Sequence, residues 1–499
     1  MKIAIRVDAS EKIGTGHLVR CLTLADAIRD RGATVRFLVR HIPDHLASVA
    51  RSRGHEVAIL AANEATPLDT DVAHAAWLGT SQSIDSEQSL DALADHAWDW
   101  VIADHYALDH RWESAMRTVT RRIMVIDDLA DRRHDCDLLL DQNLYADGTD
   151  RYAELTRSGC QLLIGPRFAL LRKEFSEARV SSHVRAGAVK SILVFFGGVD
   201  PDDHTSRAIE LLAGFAEKDW EVNVVIGQGH PKLEAIKSAC DQQKFLCHVQ
   251  TERMAELINK SDLAIGAGGT AVWERACLGL PTLSIATAQN QNEQLLNAAD
   301  SGMLYSPGVS GCSNLGVHLQ ALLENPSLRT SLSQRSMQTV DGCGAWLVLN
   351  AMGVHSISMR TATEEDVHNL YEWRNHPLIR QTARNSEEIE WDSHKRWLSS
   401  AIASSKHALL IGERGGQPVG VVRFDLNSPA AEVSIYLVPG VSGKRLGSDL
   451  LSSAEHWLES NLPNVKTLHA DVLGGNKRSQ NFFAGQGYLI NSISFSKHV

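Results

Sequence analysis

The chain has 499 residues, 43% hydrophobic and 22% charged, enough for about three globular domains of ordinary size. A net charge of −11 excludes a general nucleic-acid binder, which needs a basic face, but not a nucleotide ligand held by local amides and a few cations. Eight cysteines without CxxC or zinc spacing, and no apolar run of the roughly 18 residues a membrane span needs, predict reduced thiols and a cytoplasmic address.

The first predicted strand, 2–7, runs into Asp8, Ser10 and Glu11, unlike a signal peptide. Gly14-Thr15-Gly16-His17 then opens a helix in which Leu18, Cys21, Leu22, Ala25 and Ile28 recur at helical spacing. Gly14 and Gly16 let backbone come close to a phosphate or sugar, and a helix start supplies unpaired amides and a positive dipole end. His17 at that position is a candidate general base. Strands predicted at 34–39, 56–60, 100–103, 122–126 and 137–140 alternate with helical patterns, the rhythm of a parallel sheet covered on both faces. Asp8, Asp104 and Tyr106 fall at strand ends and are candidate substrate-orienting groups, with helix capping as the alternative.

Residues 176–190 read as a linker, after which the rhythm restarts with strands at 192–196, 221–226, 246–249, 262–266 and 282–285. The expected architecture is α/β: two Rossmann-like halves, 1–175 and 185–345, with a cleft at the carboxyl ends of their strands. Gly268, Gly269 and Thr270 form a second glycine-rich strand-to-helix turn, suited to a diphosphate. Glu274, one turn on, can accept bonds from a ribose diol, and Asn290 and Gln291 lie in a polar loop after the next strand. No metal-binding pattern is apparent, which predicts metal-independent chemistry.

A third α/β piece, 356–499, opens with a strand near 358 and a capped helix start, followed by strands at 408–412, 418–424 and 432–437. Gly443, Lys444, Arg445, Gly447 and Ser448 then make a basic glycine loop ahead of an apolar helix, a further pyrophosphate cradle. Glu432, on the preceding strand, is the candidate base, acting through water.

The tandem halves resemble the GT-B fold of nucleotide-sugar enzymes, and the two glycine turns resemble those of MurG-type N-acetylglucosaminyltransferases. A fuller pattern is similar to a hydrolase family of the pseudaminic acid pathway. It comprises Arg6, Asp8, Ser10, Gly14, Gly16, His17, Arg20 and Cys21, then Asp104-His105-Tyr106, Asp127-Asp128 and Phe196 to Pro201. That resemblance implies hydrolysis of UDP-2,4-diacetamido-2,4,6-trideoxy-β-L-altropyranose to UDP and the free sugar.

Residues 356–499 resemble GNAT N-acetyltransferases, which implies acetyl-CoA as co-substrate. The marks are Trp373-Arg374-Asn375, His394, Trp397 and Asn476-Lys477-Arg478-Ser479, with Asn476 among the residues implied to bind the cofactor. The chain departs from the family where Ser442 and Arg445 stand in the cofactor loop, and where Phe483 replaces the tyrosine that protonates the leaving thiolate. Tyr488 or a water is left as the replacement acid. Joined to the hydrolase, the domain is expected to acetylate the 4-amino sugar nucleotide. UDP-sugars and acetyl-CoA are the expected partners, with no obligatory protein partner. A glycosyltransferase and a hydrolase carrying a non-catalytic acetyl-CoA-binding module remain as alternatives.

Overall fold

The computed structural model describes every residue except 11, 63–68, 70, 216–219, 289–290, 309–313, 442–444 and 492–499. The chain divides into two compact units, Met1–Met352 and Gly353–Val499. Among the described residues no helix is long and apolar enough to cross a membrane.

The first unit holds two parallel sheets. The first comprises β1 (Lys2–Val7), β2 (Thr34–Val39), β3 (Glu56–Ile59), β4 (Trp98–Asp104), β5 (Thr120–Ile126), β6 (Leu138–Asp141) and β7 (Gln161–Ile164). Its order is β3-β2-β1-β4-β5-β6-β7. Its central strands are nearly continuous apolar runs because helices cover both faces. The second sheet comprises β8 (Ser191–Phe195), β9 (Glu221–Ile226), β10 (Leu246–Val249), β11 (Leu263–Ala267) and β12 (Thr282–Ile285). Its order is β10-β9-β8-β11-β12. The order reverses between β1 and β4 in one sheet and between β8 and β11 in the other. Loops diverge at such switch points and leave a crevice at the strands' carboxyl ends.

The segment expected to be a linker is packed rather than loose. The helix Lys173–Ala178 buries Phe175 in the core of the second sheet, against a cluster that includes Trp273 and Cys277. Arg185 is buried and donates to the carbonyls of Ser261, Leu278, Ile258 and Asn259, so one guanidinium serves four acceptors at the ends of two helices. The end of the second half also crosses back. The helix Gly344–Ala351 lies on the first sheet, where Trp100 Nε1 donates to Met352 O at 3.0 Å and Arg31 Nη1 to Asn350 Oδ1 at 2.9 Å.

The second unit is built on β13 (Ser358–Thr361), β14 (His407–Arg414), β15 (Gln417–Asn427), β16 (Ala430–Leu437) and β17 (Thr467–His469), adjacent in that order. The first four run antiparallel, and β17 joins β16 in parallel at Ala430–Glu432. Beyond Glu432 the two strands part, leaving Val433–Leu437 paired on the β15 side alone. The helix Leu446–Asn461 packs on this sheet through Leu450, which occupies the space that side chains at Gly412 and Gly420 would fill.

Close packing of the returning helix has a measurable consequence. A Cβ on Gly344 would lie 2.2 Å from Ala169 O and 2.5 Å from Phe168 C, backbone atoms that cannot swing aside. Gly344→Ala should therefore destabilise the first unit by about 1–3 kcal/mol in urea unfolding; an unchanged midpoint would contradict the packing described.

Candidate functional site

The turn after β1 is shaped by buried charge. Arg6 Nη1 and Nη2 donate to Asp8 at 2.7 and 2.9 Å, while Asp8 also accepts from the amides of Arg40 and His41, and His105 Nε2 lies 3.3 Å away. Burial opposes ionisation of Asp8, but the Arg6 guanidinium and His105 hold its carboxyl well below the usual range. Both Asp8 oxygens are thus engaged inside the protein. Gly14 has φ +78°, a left-handed backbone that favours glycine, and its amide closes the loop on Ser10 O at 2.8 Å. A Cβ on Gly14 or Gly16 would meet no atom within 4 Å, so the loop faces open space. The helix Gly16–Asp30 begins with no side-chain cap.

His17, one residue into that helix, places Nδ1 2.6 Å from Asp104 Oδ1 at the end of β4. Arg20, one turn further, donates Nε to Asp104 Oδ2 at 2.7 Å and Nη2 to Oδ1 at 2.6 Å. Burial penalises the Asp104 anion, yet Arg20 and His17 hold it well below the usual carboxylate range. A carboxylate only accepts, so His17 Nδ1 is the donor in this contact, with Arg20 Nη2 3.2 Å from the same nitrogen. The imidazole packs edge-on against Tyr106, centroids 4.6 Å apart, and Tyr106 stacks on Trp77 at 5.5 Å. His74 sits 4.6 Å from Trp77. This wall of aromatic and imidazole rings suits the apolar face of a sugar.

The same network continues into the second sheet. Arg20 Nη1 donates to Asp128 Oδ2 at 2.7 Å, as does the Tyr106 hydroxyl at the same distance. Burial and the Asp128 charge push the Tyr106 phenol far up, so it stays a neutral donor. Asn143 Nδ2 donates to Asp128 Oδ1 at 3.1 Å, and Trp273 Nε1 donates to Asn143 Oδ1 at 3.2 Å. Trp273 belongs to the helix Ala271–Cys277, which follows the second glycine turn. The two turns that the sequence singles out are therefore linked by hydrogen bonds.

At that second turn, Gly269 has φ +73°. A Cβ on Gly268 would lie 2.8 Å from Gln291 Oε1 and 3.1 Å from Leu295 Cδ1, so glycine admits the Gln291 side chain. Gln291 Oε1 accepts from the Thr287 amide at 3.0 Å. Gly268 N donates to Ile285 O at 3.1 Å. Glu274 lies beside Arg172, with Oε1 3.5 Å from Nη2. Asn290 lies outside the described residues.

Arg20, Asp128, Asn143, Trp77 and Trp273 were not among the candidate site residues. Arg20 and Asp128 did stand in the motif pattern; Asn143, Trp77 and Trp273 had no sequence signal. Asp200, Asp203 and His230 are the group of three among the described residues close enough to hold a metal ion. Their chemistry fits poorly: His230 Nδ1 accepts the Lys232 amide at 3.1 Å, which puts the ring proton on Nε2, and Asp203 is ion-paired with Lys232 at 2.7 Å. Asp200 caps the next helix through His204 N, Thr205 N and Thr205 Oγ1.

In the second unit, Glu432 stands at the fork between β16 and β17, ion-paired with Arg384, which also reaches Asp471 at 2.8 Å. To take a proton, this carboxylate must first shed its guanidinium. Gly443 and Lys444 lie outside the described residues. Arg445 has φ +60° and precedes the 446–461 helix. A Cβ on Gly447 would meet only the Phe482 ring, 3.4 Å away, and Ser448 Oγ accepts from Gln486 at 3.0 Å. Asn476 caps the helix Lys477–Gly485 through Ser479 N. Phe483 is packed between Phe482 and Tyr488, and the Tyr488 hydroxyl donates to Glu455 Oε1 at 2.8 Å. The tyrosine left as a replacement acid is thus committed elsewhere.

Two parallel sheets joined by a returning helix, with glycine turns at the carboxyl ends of their first and fourth strands, make a GT-B-like unit; a mostly antiparallel sheet with a fork after Glu432 follows it. Residues 192–303 match the glycosyltransferase family 28 C-terminal domain, and residues 357–488 match the acetyltransferase (GNAT) domain. The chain is an enzyme that carries a GNAT domain behind a GT-B-like unit. An uncharacterized protein of Methanocaldococcus jannaschii is 23% identical over 98% of this chain and 96% of its own length. The UDP-2,4-diacetamido-2,4,6-trideoxy-beta-L-altropyranose hydrolase of Campylobacter jejuni is 24% identical over 60% of this chain and 97% of its own. The Acinetobacter baumannii MurG structure covers 70% of this chain and 99% of its own, with TM-score 0.48 and 14% identity.

One buried acid near the relay gives a pH signature. Asp141 is pushed up to about 8, first by burial and then by the Asp128 charge. Its ordinary value is about 3.9, so the folded state holds a proton that unfolding releases between about pH 4 and 8. The contribution is whole below that window and lost as pH rises through it, at up to about 1.4 kcal/mol per pH unit. Asp141→Asn should flatten the fall in stability towards pH 8, read by denaturant unfolding at several pH values. An identical slope in both proteins would contradict a neutral Asp141.

Proposed function

We propose that the first unit hydrolyses UDP-2,4-diacetamido-2,4,6-trideoxy-β-L-altropyranose to UDP and the free sugar. The GNAT domain then supplies that substrate by transferring acetyl from acetyl-CoA to the 4-amino group of UDP-4-amino-4,6-dideoxy-N-acetyl-β-L-altrosamine. These would be consecutive steps of pseudaminic acid biosynthesis. The observation that carries the reading is the His17–Asp104 pair, tied by hydrogen bonds to the helix behind the Gly268–Thr270 turn.

In this reading His17 Nε2 takes a proton from a water as its oxygen attacks the anomeric carbon. The C–O bond to the diphosphate breaks, its electron pair leaves with UDP, and Asp104 stabilises the imidazolium. Gly269 and Thr270 receive the diphosphate, Glu274 accepts from the ribose diol and Gln291 lies beside the turn, with Asp8, Gly14 and Gly16 shaping the loop that carries His17. In the GNAT domain the amine attacks the thioester carbonyl and the CoA thiolate departs. Glu432 accepts the ammonium proton through water. The loop 443–448, with Asn476 at the next helix start, holds acetyl-CoA. A thiol titrating near 8.5 leaves adequately without an acid, which accommodates Phe483.

The test is NMR of each sugar nucleotide with the enzyme, with and without acetyl-CoA. His17→Ala should lower UDP release by about 10²–10⁴ while CoA release stays at the wild-type rate. Near-normal hydrolysis by that variant would remove His17 from the mechanism. For the acetyl transfer, Glu432→Gln should slow CoA release more than Phe483→Tyr changes it, the latter staying within about tenfold, or roughly 1.4 kcal/mol. If the wild type transfers nothing and Phe483→Tyr restores transfer, the domain is a binding module.

A further inference from the structure

Arg275 is a buried charge that the mechanism leaves unused. It lies on the helix Ala271–Cys277 with 1% of its surface exposed. Nη2 donates to Ala267 O at 2.6 Å, while Nε and Nη1 have no hydrogen-bond partner. An arginine normally loses its hydration only against a carboxylate or a full set of acceptors. Here the nearby carboxylate is Glu274, which leans towards Arg172 instead, Oε1 to Nη2 3.5 Å. Burial with so little compensation lowers the guanidinium to about 10.

The place of the orphaned nitrogens is specific. Nη1 would lie 3.0 Å from a Cβ on Gly266, so the glycine in β11 makes room for it. The same Cβ would lie 2.4 Å from Phe195 O at the end of β8. The guanidinium is therefore set beneath the carboxyl ends of β8 and β11, the switch point of the second sheet, where a ligand crevice opens. By holding the Ala267 carbonyl it also keeps that oxygen from facing an incoming anion.

We propose that Arg275 is a positioning and charge-balancing residue for a nucleoside diphosphate, its positive charge acting on the ligand through the Gly266–Ala267 backbone. This rests on the UDP-sugar reading of the first unit and adds a residue that distinguishes a diphosphate from a nucleoside. With water excluded, a charge one backbone layer away acts strongly, because the medium screens it weakly. The protein itself supplies little compensating charge for Arg275, and a diphosphate would add it.

The experiment is calorimetric titration of the full chain with UDP, with uridine and with inorganic pyrophosphate, for wild type, Arg275→Gln and Arg275→Lys. Arg275→Gln retains a donor for Ala267 O but removes the charge; it should weaken UDP and pyrophosphate at least about tenfold and leave uridine within twofold. Arg275→Lys keeps the charge and should hold UDP within about threefold of wild type. Equal losses for UDP and uridine in Arg275→Gln, or no loss, would overturn the proposal in favour of a structural role. If the glutamine variant fails to fold, the lysine variant decides: loss of its preference for UDP over uridine overturns the proposal. A wild type that binds pyrophosphate but neither UDP nor uridine would count against the UDP-sugar reading alone, with the Arg275 proposal then judged on pyrophosphate. A wild type that binds none of the three would overturn both.

Discussion

Asp104 ends the central strand β4 with a carboxylate buried from water, and an anion there has to be matched or neutralised. Arg20 matches it with two donors of one guanidinium, His17 adds Nδ1, and Cys21 Sγ donates to Oδ2 at 3.3 Å. Both partners come from a single helix, three residues apart, because side chains at that spacing share a face. Setting Asp104 thus sets the helix, and the helix sets the glycine loop before it. Tautomer, ring orientation and loop position follow from one buried charge. The imidazole, held by this carboxylate, lies edge-on to the rings of Tyr106 and Trp77.

The second consequence runs outward through Arg20. Its third nitrogen reaches Asp128, and from there Asn143 and Trp273 lead into the helix behind the other glycine turn. His17 and the second glycine turn are held on different sheets, so a relay of this kind is what fixes their relative position. The returning helix Gly344–Ala351 supports it from the far side by closing the second half onto the first sheet. The GNAT domain solves a separate problem with separate means: strands that part after Glu432, and glycines at 412 and 420 that let Leu450 seat the following helix against the sheet.

Much of this was legible in the chain. Strands such as β1, β2, β9 and β12 coincide with the runs read from sequence, since a strand buried largely on both faces is rich in apolar residues. β7 and β17 were missed because four partly polar residues and a three-residue pairing carry no periodic signal. The 176–190 segment looked like a linker because it is polar, yet Arg185 is polar in order to satisfy four buried carbonyls. At the site, His17 and Asp104 were readable from their motifs, whereas Asn143 and Trp273 join the relay over separations of 15 and 130 residues that only the fold creates. Asp8 shows the converse: a motif position whose carboxylate the interior has already taken.

In the proposed reaction, water activated by His17 attacks carbon and not phosphorus. It is tested most directly by running the hydrolysis in ¹⁸O-enriched water and locating the label by mass spectrometry and ³¹P NMR. Attack at the anomeric carbon puts the heavy oxygen in the hydroxyl of the released sugar and none in UDP. Label in the β-phosphate of UDP, or UDP release without free sugar, would contradict the account.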